Sequence, residues 1–291
     1  MSFDLILQAA ISGLLMGLIY ALVAAGLSLI FGLMDVVNFA HGELLMLAMY
    51  ATFFVWQSTG IDPILLLPMG AALLFGLGMA IYRLFIARAL SVQFNRGMVQ
   101  IFVTFGLAIF IRGAAQFAFG GEFRSINTSW LANRTVDVAG IFLPLPQVAS
   151  SLVCLLAFAG LLLISRTEFG SALEATREDR DAVALIGIDR DRIFSLGWGL
   201  GAATVGVAGV MLASFYYVSP NVGANFALIA YVTVALGGFG SMFGALVAGL
   251  LIGETEALTA AVLEPSLKQV GVFGIYLVVL MVRPRGLFGK L

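Results

Sequence analysis

Long apolar runs alternate with short polar interruptions along the whole chain. Residues 5–34 carry no charge, and a run such as LLMGLIYALVAAGLSLIFGL is apolar on every face rather than along one stripe. At ~1.5 Å rise per residue, a helix of about 20 such residues crosses a hydrocarbon core. Comparable runs cover residues 44–61, 64–82, 98–119, 141–164, 193–218, 222–253 and 266–282. A transmembrane barrel would show alternating segments of about ten residues instead. The pattern predicts an all-α polytopic membrane protein of about 8–9 transmembrane helices, one transmembrane domain over residues 1–291.

The polar interruptions set the topology. Asp35, Asn38, His41 and Glu43 break the text after the first run, and Asp62-Pro63 is a turn signal. Arg83, Arg88 and Arg96 follow with no acidic residue among them, which places that loop in the cytoplasm. Residues 120–140 are mixed in sign and rich in turn formers, so they form an external loop with Trp130 at the interface. Pro144 and Pro146 open the fifth span, where a helix start tolerates proline. Gly13 with Gly17, and Gly197, Gly199, Gly201, Gly206 and Gly209 in the sixth span, predict close helix approaches. Ser219-Pro220-Asn221 makes an outer turn.

The run over 222–253 poses a parity problem. As one span it would leave Arg283, Arg285 and Lys290 outside. A break at Gly237-Gly238-Phe239-Gly240 turns it into a hairpin of two short or discontinuous helices and returns the C-terminus to the cytoplasm. Such breaks need protein or a water-filled cavity around the backbone, and transporters often place them on the substrate path. The N-terminus is then outside.

One segment stands out by charge. Residues 166–192 (RTEFGSALEATREDRDAVALIGIDRDR) hold twelve of the chain's 31 acidic and basic residues, while the 61 residues from Ile193 to Gly253 hold none. Ser171 with Glu174 reads as a capping box, Gly187 as a C-terminal stop, and Arg177 with Asp181 as an i,i+4 pair. These predict a surface helix over 172–186, with Asp189 capping the next helix. A solvated loop is the alternative. A helix with sharp ends fits a docking element better.

Composition agrees with a membrane chain: 61% hydrophobic and 11% charged, with net charge −1, against ~25% charged in soluble domains. Cys154 is alone and His41 is the only histidine, so no intrachain disulfide and no Cys- or His-cluster metal site is expected. The first run lacks a basic n-region and is too long for a signal peptide, so it is read as a membrane span. No H-E-x-x-H, G-x-S-x-G or G-x-x-x-x-G-K-[ST] occurs, so neither an intramembrane enzyme nor nucleotide binding by a P-loop is indicated, and ATP-driven work needs another subunit. The candidate substrate path comprises Asn38, His41 and Glu43 with Gly237, Gly238 and Gly240, since ionisable groups inside a membrane usually face an interior path. A capped interfacial turn at 35–43, and helix packing by the glycines, are the alternatives. Arg112 is expected to be a snorkelling or paired structural residue.

GLIYALVAAGLSLIFGLMDVVNFAHGELLMLAMYATF (17–53), TEFGSALEATREDRDAVALIGID (167–189) and YVTVALGGFGSMFGALVAGLLIGETEAL (231–258) resemble the permease subunits of branched-chain amino acid ABC importers, the LivH-type branch. The resemblance covers essentially the full chain, and NFAHGE after an apolar L-x-L-I-F-G run is its most specific part. It implies an inner-membrane permease subunit that imports branched-chain amino acids by alternating access. The implied partners are a second homologous permease, two cytoplasmic ATP-binding subunits, a periplasmic solute-binding protein and the membrane lipid, with no cofactor, no nucleic acid and no catalysis of its own. It further implies that residues 166–192 hold a coupling helix set into an ATPase groove, with Ser171, Glu174, Ala175, Arg177, Asp181 and Gly187 as coupling residues. The general importer motif of E-A-A with a later glycine is departed from at Glu174-Ala175-Thr176, followed by Asp179 and Arg180. Related permeases carry urea, short-chain amides or other amino acids. An ATP-independent secondary transporter would require ionisable residues deep in several spans, and the sixth and seventh have none.

Overall fold

In lipid every backbone N–H and C=O must be satisfied within the protein, and the apolar runs accordingly fold as helices. A computed structural model describes residues 3–35, 37–92, 96–132, 134–138, 140–179, 182–185 and 187–289. Its elements are α1 (Phe3–Met34), α2 (His41–Thr59), α3 (Leu67–Ile81), α4 (Ala87–Ser91), α5 (Arg96–Phe119), β1 (Thr135–Val138), β2 (Ile141–Pro144), α6 (Leu145–Ile164), α7 (Glu168–Glu178), α8 (Ala182–Leu185), α9 (Arg190–Ala213), α10 (Val222–Gly237), α11 (Met242–Val262) and α12 (Lys268–Val282). Among the described residues, seven helical stretches are long and apolar enough to cross a membrane. α2, with His41 and Glu43 in its first turn, and the 16-residue α10 complete the alternation of the chain between two faces.

Contacts fix which ends share a face. On one face Gln8 donates to the Phe142 carbonyl, Trp56 to that of Thr128, and Arg124 pairs its backbone with Val218. The start of α1, the 120–144 segment and the 214–221 turn therefore lie together. On the other face the tail crosses the end of α10, Leu287 and Phe288 donating to the carbonyls of Leu236 and Gly237. Arg177 of α7 lies beside Gly240 and Gly32 on that same face. The N-terminal end of α1 and the C-terminal tail thus stand on opposite faces, as the charge distribution predicts.

Glycine spacing decides which helices meet. A Cβ at Gly17 would sit 2.9 Å from the Gly249 carbonyl oxygen, and one at Gly13 2.8 Å from that of Gly253. The small residues of α1 and α11 thus form a reciprocal seam that brings the two backbones together. α9 is the central helix, packed against α3, α2, α1 and α6. Gly206 meets Gly70 of α3, Gly209 meets Leu45 of α2, and Gly201 meets Ile30 of α1. Trp198, fully buried on α9, donates its indole N–H to Met34 Sδ at 3.1 Å.

Four features differ from the sequence reading. α7 starts at Glu168 because Thr167 caps it, so Ser171 and Glu174 lie inside the helix and form no capping box. Gly170 allows the early start, since a Cβ there would overlap the Ser165 carbonyl. α7 ends at Glu178, where Asp179 is extended, rather than continuing to 186. Gly187 stops α8 instead: it adopts φ +84°, with Gly187 donating to Ala184 and Ile188 to Val183, the Schellman pattern. The third span continues past Arg83 as one helical stretch over Pro63–Ser91, through a π-helical turn at Tyr82–Ile86, because a helix leaving the hydrocarbon is free to carry exposed arginines. The external segment contains an antiparallel hairpin of β1 and β2, with Asp137 accepting from the Gly140 amide at its turn. Asp189 caps α9 as expected, accepting from the amides of Asp191 and Arg192.

The seam gives a test. Gly17→Leu is expected to lower the melting temperature of the detergent-purified protein, in line with ~1–3 kcal/mol of overpacking. Gly76→Leu, at a position with open space around it, is expected to leave it unchanged.

Candidate functional site

After α1 the chain does not run along the surface. Asp35 takes φ +57°, in the left-handed region, and from residue 37 to His41 the chain lies back beside α1. By His41 it has reached Val23, whose carbonyl bonds His41 Nε2 at 2.9 Å, about 16 Å back from Met34 at ~1.5 Å per residue. Residues 37–40 are therefore non-helical backbone inside the helix assembly, and Asn38, Ala40 and His41 are fully buried. Asp35 itself is exposed, and the burial begins with the stretch that follows it, at Asn38.

Such backbone must find partners from the surrounding helices, and it does. Tyr231 of α10 donates its hydroxyl to the carbonyls of Phe39 and Asn38, at 2.9 and 3.3 Å. Thr104 of α5 reaches the Val37 carbonyl at 3.4 Å. Asn38 Oδ1 accepts from the Ala40 amide at 3.0 Å and closes a local turn ahead of α2. Phe39 is wedged between the rings of Phe105 and Tyr231.

One turn further on, Glu43 is 1% exposed and accepts from Arg112 of α5, from Nε at 3.0 Å and from Nη2. The Arg112 side chain is 37% exposed, at the edge of the assembly. Gly42 and Gly223 let α2 and α10 touch beside this pair; a Cβ at Gly223 would stand 2.7 Å from Glu43 Oε2.

The cluster keeps unused hydrogen-bonding capacity. Asn38 Nδ2, His41 Nδ1 and Glu43 Oε2 are buried without a hydrogen-bond partner. Because the Val23 carbonyl can only accept, His41 Nε2 carries the proton, and in the neutral ring Nδ1 is then an acceptor. One amide donor and two acceptors therefore lie within six residues of chain, in a region where most buried polar groups are paired. Among the described residues no group of three or more His, Cys, Asp or Glu could hold a metal ion.

The structure does not bring the two halves of the expected path together. Asn38, His41 and Glu43 form the buried cluster, whereas Gly237, Gly238 and Gly240 lie at the α10–α11 turn beside Arg177, Gly32 and the C-terminal tail. The break falls where it is expected, and φ values of +101° at Gly238 and +77° at Gly240 explain why glycine stands there. Ser171, Glu174 and Arg177 are exposed on α7 and Ala175 is half-buried. Gly187 is exposed after α8, and Asp181 lies outside the described residues. Sequence reading missed Tyr231 and Thr104. Their only local signal was a hydroxyl in an apolar run, which needs a buried acceptor.

A helical assembly with a buried, protein-satisfied break next to a charged pair defines a polytopic membrane protein of the transporter class. A family model for the permease component of branched-chain amino acid transport systems matches residues 9–281. The chain is 30% identical to the high-affinity branched-chain amino acid transport system permease protein LivH of Salmonella typhimurium, over 98% of this chain and 96% of that one. It is 31% identical to the corresponding permease BraD of Pseudomonas aeruginosa over the same shares. A shorter stretch of 125 residues is 34% identical to the permease LivM of Escherichia coli, 42% of this chain and 29% of that one. The chain belongs to the family of permease components of branched-chain amino acid transport systems.

The ion pair is open to a mutant cycle. Arg112→Gln leaves Glu43 buried beside a neutral group and is expected to cost on the order of 1–3 kcal/mol, less than for a fully buried pair because Arg112 is partly exposed. The double variant with Glu43→Gln is expected to recover part of that loss in detergent unfolding.

Proposed function

We propose that this chain is the permease subunit of an ATP-driven importer for branched-chain amino acids in the bacterial inner membrane. The observation that carries the reading is the buried re-entrant stretch 37–43, with Asn38, His41 and Glu43 presenting unpaired polar atoms deep among apolar helices. A donor and acceptors suit a zwitterion, and the surrounding apolar side chains suit an aliphatic one. The full-length likeness to LivH and BraD supports the choice of substrate class.

Residues 1–291 then act as one transmembrane permease domain, with α7, α8 and the tail in the cytoplasm and the start of α1 outside. Ser171 and Glu178 stand on the exposed side of α7, away from the buried Leu173 and Thr176, and form with Ala175 the surface for an ATP-binding subunit. Asp181 and Gly187 follow in the same cytoplasmic segment, and Glu174 and Arg177 flank the surface. The chain has no P-loop, so two ATP-binding subunits hydrolyse ATP and this subunit does not. A second, homologous permease covers Arg112: an arginine side chain more than a third exposed on a spanning helix is costly against lipid. The likeness to part of LivM supports such a partner. A periplasmic binding protein delivers the solute to the outer face.

Motion passes along packed elements. Leu173 of α7 lies beside Gly197 of α9, and Gly209 of α9 meets Leu45 and Ala48 of α2, the helix that begins at His41. Rocking α7 on ATP binding therefore displaces α9 and, through it, the polar cluster. Gly240 gives the α10–α11 turn its close approach to Arg177 of α7, while Gly237 meets Gly244 of α11 and Gly238 meets the tail.

Co-expression with the two ATP-binding subunits, the second permease and the binding protein tests this. ATP-dependent leucine uptake is expected, and Ser171→Trp is expected to abolish both co-purification of the ATP-binding subunits and uptake while the chain still inserts. Leucine uptake that persists without ATP or without those subunits would refute the importer reading.

A further inference from the structure

On the face that carries α7 the protein holds a cavity of about 600 Å³, separate from the buried cluster. Sites for small molecules span roughly 300–1,000 Å³. One part of its wall is apolar, with Leu29 and Leu33 of α1, Leu161 of α6 and Leu200 of α9. Its charged lining is Glu174 and Arg177, on one flank of α7, together with Arg285 of the tail. Ser241, which caps the 21-residue α11, and its first residue Met242 also line it, and a helix start favours negative charge. An independent sign of a ligand is Ser28. Its side chain is 0% exposed, its hydroxyl has no hydrogen-bond partner, and it lines the same cavity.

We propose that this cavity binds a free amino acid with an aliphatic side chain from the α7 side and thereby slows transport when the imported solute accumulates. The inference rests on the importer reading above. Two cations and a helix start would take the carboxylate, Glu174 the ammonium, and the leucine-lined wall the side chain. A simple anion would meet Glu174 as a like charge, and an uncharged apolar molecule would leave the three charged groups unmatched. The ligand would bridge three elements: α7, the start of α11 and the C-terminal tail. A molecule bound across them favours the arrangement in which α7 stays against the α10–α11 turn, and so opposes the rocking that ATP drives. It shifts that equilibrium only as far as it binds one arrangement better than the other.

The test uses the assembled transporter in proteoliposomes, with binding protein and labelled leucine outside and ATP inside. Loading unlabelled leucine into the lumen is expected to lower the initial uptake rate by about tenfold at saturation. Leucinamide, which lacks the carboxylate, and 4-methylpentanoate, which lacks the amine, are expected not to inhibit. Arg285→Gln, at an exposed position, and Ser28→Leu, which fills the cavity floor, are expected to keep uptake in unloaded vesicles and lose the inhibition. Uptake that ignores loaded leucine would overturn the proposal while leaving the importer reading standing. So would inhibition unchanged in both variants, or inhibition by 4-methylpentanoate equal to that by leucine. No ATP-dependent uptake in unloaded vesicles would remove the importer reading and this proposal together.

Discussion

Backbone that leaves helical geometry inside a membrane protein loses its intrahelical hydrogen bonds, and the surrounding helices must replace them. The stretch between α1 and α2 is where this constraint bears hardest. Two elements answer it, α5 with Thr104 and α10 with Tyr231, while the Val23 carbonyl of α1 anchors the His41 side chain. Those bonds hold α1, α5 and α10 around the start of α2, and they set the depth at which Asn38, His41 and Glu43 stand. A missing partner here would strand a buried carbonyl, at a cost of roughly 1–3 kcal/mol.

Close packing turns that local arrangement into something movable as a unit. α9 carries glycines on several sides, so α1, α2 and α3 each approach its backbone directly. Without flexible side chains between them, a displacement of α9 has little slack to absorb it. α7 touches this bundle through Leu173, next to Gly197. α7 is thus joined to the polar cluster by the Leu173–Gly197 contact and by the close α9–α2 seam at Gly209. The Glu43–Arg112 pair stands at the far end of that chain of contacts, half on the edge of the assembly.

Much of this was legible in the sequence. Apolar runs without charge gave the spans, the basic clusters gave the shared face of α7 and the tail, and Gly237–Gly240 marked the break between α10 and α11. Gly13 and Gly17 announced the seam with α11, though not their partners Gly249 and Gly253, because a small-residue motif states closeness and leaves the neighbour open. The boundaries of α7 were misjudged for a local reason: Ser171 and Glu174 match a capping box, but Thr167 competes one turn earlier and Gly170 lets it win. The depth of His41 was not legible at all. A run of D-V-V-N-F-A-H reads alike as a surface turn or a re-entrant strand of chain. Only the hydroxyls of Thr104 and Tyr231, 66 and 193 residues beyond Asn38 in the sequence, distinguish the two.

Solvent access to residue 38 measures most directly whether the re-entrant stretch walls the substrate path. Cys154 is buried and is the chain's only cysteine, so Asn38→Cys in a Cys154→Ser background reports from one position. In the assembled transporter a small charged thiol reagent is expected to modify that cysteine in at least one stage of the ATP cycle, and saturating leucine with its binding protein is expected to slow the reaction. A cysteine at 38 that stays unreactive throughout turnover, in a variant that still transports, would show that the stretch is packing and not path.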